Sequence, residues 1–205
     1  MVRINTIDGF STIIMLKRTV EFLYEAGMLK KTPRTGFQFL GAGSESVAEH
    51  SFRATIIGYV LATMEKGADI DKTVRMCLFH DLAEARTGDH NYVNKKYVTA
   101  NEEKVILDQT KALPFGDDIV TLTDEFNAAD TLEARIAKDA DQLDLILELK
   151  GHQDSGNPNA KEWLVYALKR LRTESGKALG REIMASKSDA WWFDNDTDWW
   201  VNGGK

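Results

Sequence analysis

The chain holds a single cysteine, Cys77, among 205 residues. No internal disulfide is therefore available, and the apolar stretch around Cys77 suits a small buried side chain better than a nucleophile. No uninterrupted apolar run reaches membrane-span length, which argues against a membrane partner. The opening residues Met-Val-Arg-Ile-Asn-Thr-Ile-Asp-Gly lack signal-peptide architecture, so the expected setting is cytoplasmic. Internal repeats and low-complexity segments are absent, and few segments alternate polar and apolar residues as a half-buried strand does. Basic residues number 26 against 32 acidic ones, a net charge of −6. That balance argues against duplex nucleic acid as a partner, because such binding needs a basic surface to neutralise phosphates.

What is present is helical pattern. With 43% hydrophobic and 28% charged residues the chain is long enough for one sizeable core. Periodicity and capping signals predict an all-α fold. Its helices run from Gly9 to Ala26, Ser46 to Lys66, Asp71 to Arg86, Lys95 to Lys111, Asp117 to Asn127, Asp130 to Lys150, Asn159 to Thr173 and Ser175 to Ser186. Ser46 with Glu49, and Asp130 with Glu133, read as capping boxes. Gly27 can close the first helix, while Lys31 to Gly43, Thr87 to Asn94 and Gly151 to Pro158 read as loops.

The most informative segment is Cys-Leu-Phe-His-Asp-Leu-Ala-Glu-Ala-Arg, residues 77–86, where His80, Asp81 and Glu84 interrupt an apolar helical run. An ionised Asp buried there needs a cation or several hydrogen bonds. Neighbouring residues on a helix point about 100° apart, so His80 and Asp81 can converge on one ion, with Glu84 one turn beyond His80. Imidazole and carboxylate together suit Mn, Fe, Co, Ni or Zn better than Ca or Mg. The dipeptide alone is equally compatible with a hydrogen-bonded core histidine beside a salt-bridged Asp. Two further segments carry compatible chemistry. His50 falls in the first turn of the helix that Ser46 opens, where the helix dipole disfavours protonation and leaves a ring nitrogen free. Asp141 flanks the apolar stripe Ile136, Ala140, Leu143 and Leu147, whereas Asp139 and Asp144 better fit a solvated acidic face.

The order His50, His80-Asp81, Asp141 resembles the signature of the HD-domain superfamily of metal-dependent phosphohydrolases. Residues 33–37 (Pro-Arg-Thr-Gly-Phe), 45–52 (Glu-Ser-Val-Ala-Glu-His-Ser-Phe), 80–89 (His-Asp-Leu-Ala-Glu-Ala-Arg-Thr-Gly-Asp) and 138–143 (Lys-Asp-Ala-Asp-Gln-Leu) are similar to its 5′-deoxynucleotidase branch. The resemblance implies a single all-helical HD domain with one divalent transition metal held by His50, His80, Asp81 and Asp141. It implies Glu84 as the catalytic carboxylate, acting as acid or base, and Arg34 near the substrate phosphate. Asp89 corresponds to the acid that accepts from the sugar 3′-hydroxyl and leaves no room for a 2′-hydroxyl. Phe37 stands where many relatives carry Trp, and either stacks on the base or packs its loop on the core. The implied activity is hydrolysis of deoxyribonucleoside 5′-monophosphates, with a nucleotide as small-molecule partner and a homodimer as the family-like assembly. Two other readings stay open: an HD-domain enzyme acting on another phosphoester, and a regulator whose metal is structural. Retention of Glu84 and Asp89 argues against the regulator.

The segment 187–205 is rich in Trp: Trp191, Trp192, Trp199 and Trp200 lie among acids. Such rings do not stay exposed cheaply, and the expectation is that they pack on the core or on a second subunit.

Overall fold

The computed structural model describes residues 9–193, 197 and 199–203. Its elements are α1 (Gly9–Ala26), a 3-10 turn (Gly27–Lys30), α2 (Phe37–Leu40), α3 (Val47–Met64), α4 (Ile70–Phe79), α5 (Glu84–Thr87), a 3-10 turn (Asn94–Lys96), α6 (Glu102–Thr110), α7 (Gly116–Ala128), α8 (Leu132–Asp154), α9 (Pro158–Leu168), α10 (Glu174–Ala185) and α11 (Trp199–Asn202). The fold is all-α. Among the described residues the only extended pairing is an isolated antiparallel bridge between Pro33 and Ser46. No helix of the described residues is long and apolar enough to cross a membrane.

The 23-residue α8 is the central element, packed against α3, α4, α7, α9 and α10. Of the predicted stripe, Ile136, Ala140 and Leu143 are fully buried and Leu147 partly so. Two apolar clusters result. The larger takes Ile57, Leu61, Met76, Cys77, Leu122, Leu143 and Leu164; the smaller takes Phe22, Val47, Leu82, Ala83, Ile106 and Ile119. Residues 80–83 therefore connect the two, since Cys77 belongs to one and Leu82 to the other. Helices α3 and α4 approach closely at Gly58, where an added Cβ would lie 2.5 Å from Cys77 Sγ. That contact sets the separation of the helix bearing His50 from the helix that ends at His80.

The predicted helix from Asp71 to Arg86 is broken. In a continuous helix the Asp81 N–H would bond Cys77 O, but the His80 side chain takes that carbonyl through Nδ1 at 2.7 Å. The following turns tighten to i→i−3 bonds, Leu82 to Phe79 and Glu84 to Asp81. The helix predicted from Lys95 starts at Glu102, capped by Asn101, which accepts from Lys104 N. Ser46 and Glu49 form the expected capping box. The second box does not form: Thr131 caps α8 by accepting from Ala134 N, and Glu133 instead accepts from Asp69 N.

Asp139 is a further departure, since it is fully buried and not on a solvated face. Its carboxylate accepts from Arg172 N, Thr173 N and Thr173 Oγ1, each at 2.7 Å. These bonds hold the chain out of the helix predicted to reach Thr173 and tie the start of α10 to α8. Gly176 lets α10 come this near, because a Cβ there would lie 2.3 Å from Asp139 Oδ2. In the Trp-rich segment Trp192, Phe193, Trp199 and Trp200 contact one another through their rings, and Trp191 is 86% exposed.

Replacing Asp139 by Ala leaves the buried Thr173 N–H and the partly buried Arg172 N–H without an acceptor. Urea unfolding should show Asp139→Ala destabilised by roughly 2–4 kcal/mol with an unchanged m-value; a loss within about 0.5 kcal/mol would contradict this role.

Candidate metal centre and substrate cleft

The capping box starts α3 so that His50 lies in its first turn, fully buried and facing α8. Its Nδ1 is 2.6 Å from Asp144 Oδ2. Asp144 accepts only, so Nδ1 carries the proton and Nε2 keeps a lone pair. His80 is set the same way by Cys77 O, again leaving Nε2 as the acceptor. The two Nε2 atoms face each other at 3.2 Å. Asp81 Oδ2 lies 3.2 Å from His80 Nε2 and 3.5 Å from His50 Nε2, and Asp141 Oδ1 lies 3.4 Å from His50 Nε2.

Two imidazole lone pairs pointed at one another beside two carboxylates form an arrangement that a cation satisfies. His50, His80 and Asp141 bring ligand atoms within 4.8 Å of one another, and Asp81 borders the same point. A mixed nitrogen and oxygen donor set fits a divalent transition ion. Glu45, His50 and Asp144 form a second such group. Arg53 already answers its charge, with Nε 2.5 Å from Asp144 Oδ1 and Nη2 3.6 Å from Glu45. The group built on the Nε2 atoms is therefore the better cation site.

The electrostatics agree. Burial opposes ionisation of Asp81, yet His80 and His50 hold its carboxyl well below the usual range. Burial likewise opposes ionisation of Asp141, but the hydrogen bond from His50 and the charges of His50 and His80 outweigh it. Burial alone would lower His50, but hydrogen bonds to Asp141 and Asp144 push it up to about 10. The helix dipole disfavours a second proton on His50 and the carboxylates of α8 favour it, so a proton and a metal compete for the same Nε2. Burial, mainly, with Asp141 adding, raises the Cys77 thiol to about 12.

A cleft of about 220 Å³ opens beside these groups, lined by Arg34, Phe37, Asp81, Glu84, Asp89 and Asp141 among others. Arg34 Nη1 is 3.4 Å from Asp81 Oδ2, and its Nε is 4.0 Å from Glu45 Oε2. The loop is held by Arg34 N donating to Glu45 O at 2.8 Å. Burial works against the Arg34 charge, but Asp81, Asp141, Asp89 and Glu84 raise its pKa, so the guanidinium stays charged. Asp89 Oδ2 accepts from Thr35 N at 2.6 Å and from Thr35 Oγ1 at 3.0 Å, which pins Asp89 to the loop of Arg34. Phe37 lines the cleft, yet its ring meets His152 at 6.0 Å and packs on the larger cluster.

Glu84 begins α5, and its Oε2 is buried without a hydrogen-bond partner. Burial first, then Asp81 and Asp89, pushes it up to about 9.

Asp144, Arg53 and Glu45 belong to this site and were not singled out from sequence. Periodicity puts Asp144 beside the stripe, but its partner His50 is 94 positions away. The one available signal was that an Asp one turn after Asp141 needs a cation if it is buried. Lys138 is a further cation near Asp81 and Asp141, its Nζ 3.4 Å from the centroid of the Phe126 ring.

The chain is similar to several known proteins. A 5′-deoxynucleotidase HDDC2 from Dictyostelium discoideum is 33% identical over 141 residues, 63% of this chain and 74% of that protein. Its Bos taurus namesake is 29% identical over 147 residues, 69% of this chain and 71% of that one. A conserved hypothetical protein from Pyrococcus furiosus superposes with a TM-score of 0.67 at 31% identity, covering 82% of this chain and 99% of that one. The HD domain profile matches residues 26–180, and the chain belongs to the HD-domain family.

Proposed function

We propose that the chain is a metal-dependent 5′-deoxynucleotidase, converting deoxyribonucleoside 5′-monophosphates and water to deoxynucleosides and phosphate. The observation that carries this reading is the convergence of His50 and His80 Nε2 with Asp81 and Asp141, beside a cleft that also holds Arg34, Glu84 and Asp89. The names of the relatives support the substrate class.

The roles follow from the donor and acceptor chemistry. His50, His80, Asp81 and Asp141 hold the divalent ion, which when bound makes hydroxide available near neutral pH and offsets phosphate charge. Arg34 clamps phosphate oxygens with a guanidinium kept charged by four carboxylates. Asp89, with Oδ2 already engaged by Thr35, has Oδ1 left to accept from the sugar 3′-hydroxyl. Water adds to phosphorus and gives up one of its two protons, the bond to the 5′-oxygen breaks, and that oxygen takes up a proton, so that overall one proton passes from the water to the leaving oxygen and the other stays on the phosphate. Glu84 Oε2, buried and unpartnered, is suited to carry it, because burial favours the protonated form.

Released phosphate from dAMP, dTMP and dUMP beside AMP and UMP tests the reading on EDTA-stripped protein titrated with Mn, Co, Zn, Ni and Mg. Turnover of the deoxy forms alone, restored by a transition ion, is expected; no release under any metal would move the chain to another phosphoester. Arg34→Ala should raise KM and lower kcat while metal content, measured by mass spectrometry, stays that of the unaltered protein. Loss of metal in that variant would count against the clamp.

The same reading carries a homodimer. Supporting it, Phe52, Ile56, Tyr59 and Val60 form an exposed apolar row along α3. Light scattering should give a mass near twice 23.0 kDa, and a monomer at micromolar concentration would refute it.

A further inference from the structure

The cleft does not end at Phe37. It continues into a second chamber of about 340 Å³, and the two share Tyr92, Leu145, Leu149, Trp163 and Arg170 among their walls. The wall changes character along the way. Near the metal centre it is charged, with Arg34, Asp81, Glu84 and Asp89; the second chamber is aromatic and aliphatic, lined by Trp163 of α9, Tyr92, and Leu145 and Leu149 of α8.

We propose that this chamber takes the nucleobase, with Trp163 as its stacking surface, so that base affinity is set between α8 and α9 and not at Phe37. The inference rests on the nucleotidase reading for the position of the phosphate. A 5′-nucleotide fixed by Arg34 at one end and Asp89 at the sugar must send its base along the remaining length of the cleft, and only this end offers an apolar π-face. Phe37 and Trp163 both pack on the larger cluster, but the Phe37 ring is also tilted against His152, 6.0 Å between centroids. Trp163, partly buried like Phe37, lines both chambers, whereas Phe37 lines only the first. A polar edge accompanies it. Arg170 lies with its guanidinium 5.1 Å from the centroid of the Tyr92 ring and donates to Gln142 Oε1 at 3.2 Å. Gln142 Nε2 donates to Asp141 Oδ2, also at 3.2 Å, so the chamber is linked by hydrogen bonds to the metal centre. Stacking on an aromatic side chain is tolerant of base identity, so this chamber would admit more than one base.

The test compares dAMP with 2-deoxyribose 5-phosphate, which keeps the phosphate, the sugar carbons and the 3′-hydroxyl and lacks the base. Trp163→Ala should raise KM for dAMP by roughly tenfold or more and leave the kinetics of 2-deoxyribose 5-phosphate unchanged, with Trp163→Phe restoring most of the difference. Unchanged sugar-phosphate kinetics also show that the variant is folded; where Trp163→Ala does not fold, Tyr92→Ala in the same chamber serves, with the same selective rise expected. Equal losses on both substrates, or no change on either, would overturn the proposal. Should neither compound be hydrolysed, the nucleotidase reading fails first, and calorimetric binding judges the chamber by itself. Tighter binding of dAMP than of the sugar phosphate, lost in Trp163→Ala, sustains it, and equal binding of the two overturns it.

Discussion

The contact on which the site depends is the 2.6 Å hydrogen bond between His50 Nδ1 and Asp144 Oδ2, with both side chains fully buried. It joins the start of α3 to the middle of α8 and fixes which ring nitrogen of His50 remains open. A buried carboxylate so placed costs more than it returns unless it is compensated, and Arg53 compensates it with Nε at 2.5 Å and a further bond to the Asp144 carbonyl. Arg53 reaches Glu148 as well and lies near Glu45, whose other neighbour is Arg34. The group that orients a metal ligand thus connects through two side chains to the residue assigned to the phosphate. In other metal sites such carboxylate–histidine partners fix ring orientation and raise ligand basicity.

The second constraint is the break at His80. A helix continuing through Asp81 would direct Asp81 and Glu84 by a fixed 100° per residue. By spending the Cys77 carbonyl on its own Nδ1, His80 ends α4, tightens the backbone and starts α5 at Glu84. One hydrogen bond therefore both selects the His80 tautomer and reorients the two carboxylates that follow. The close approach of α3 and α4 at Gly58 holds the two histidines at a separation suited to one ion.

What was legible in the sequence were the features whose partners are near in the chain. The capping box at Ser46, most of the helix spans and the spacing of His50, His80, Asp81 and Asp141 could be read directly, and the four blocks were enough to indicate the family. The misreadings share a cause. Asp139 and Asp144 lie three or four residues from members of the apolar stripe, so their charge and not their periodicity suggests a solvated face, and what compensates that charge lies on other elements: the amides of Arg172 and Thr173 for one, His50 and Arg53 for the other. The helix break at His80 was hidden because it depends on a side chain competing for a carbonyl, which no apolar pattern reports.

The central claim is that the Nε2 atoms of His50 and His80, with Asp81 and Asp141, hold one divalent ion. Anomalous diffraction at the metal edge, from crystals grown with the ion that best supports binding, tests it most directly. The account predicts a single strong peak at about 2.0–2.2 Å from both Nε2 atoms and from oxygens of Asp81 and Asp141. A peak on the Nδ1 side of His50, among Glu45 and Asp144, or no peak at all, would contradict it.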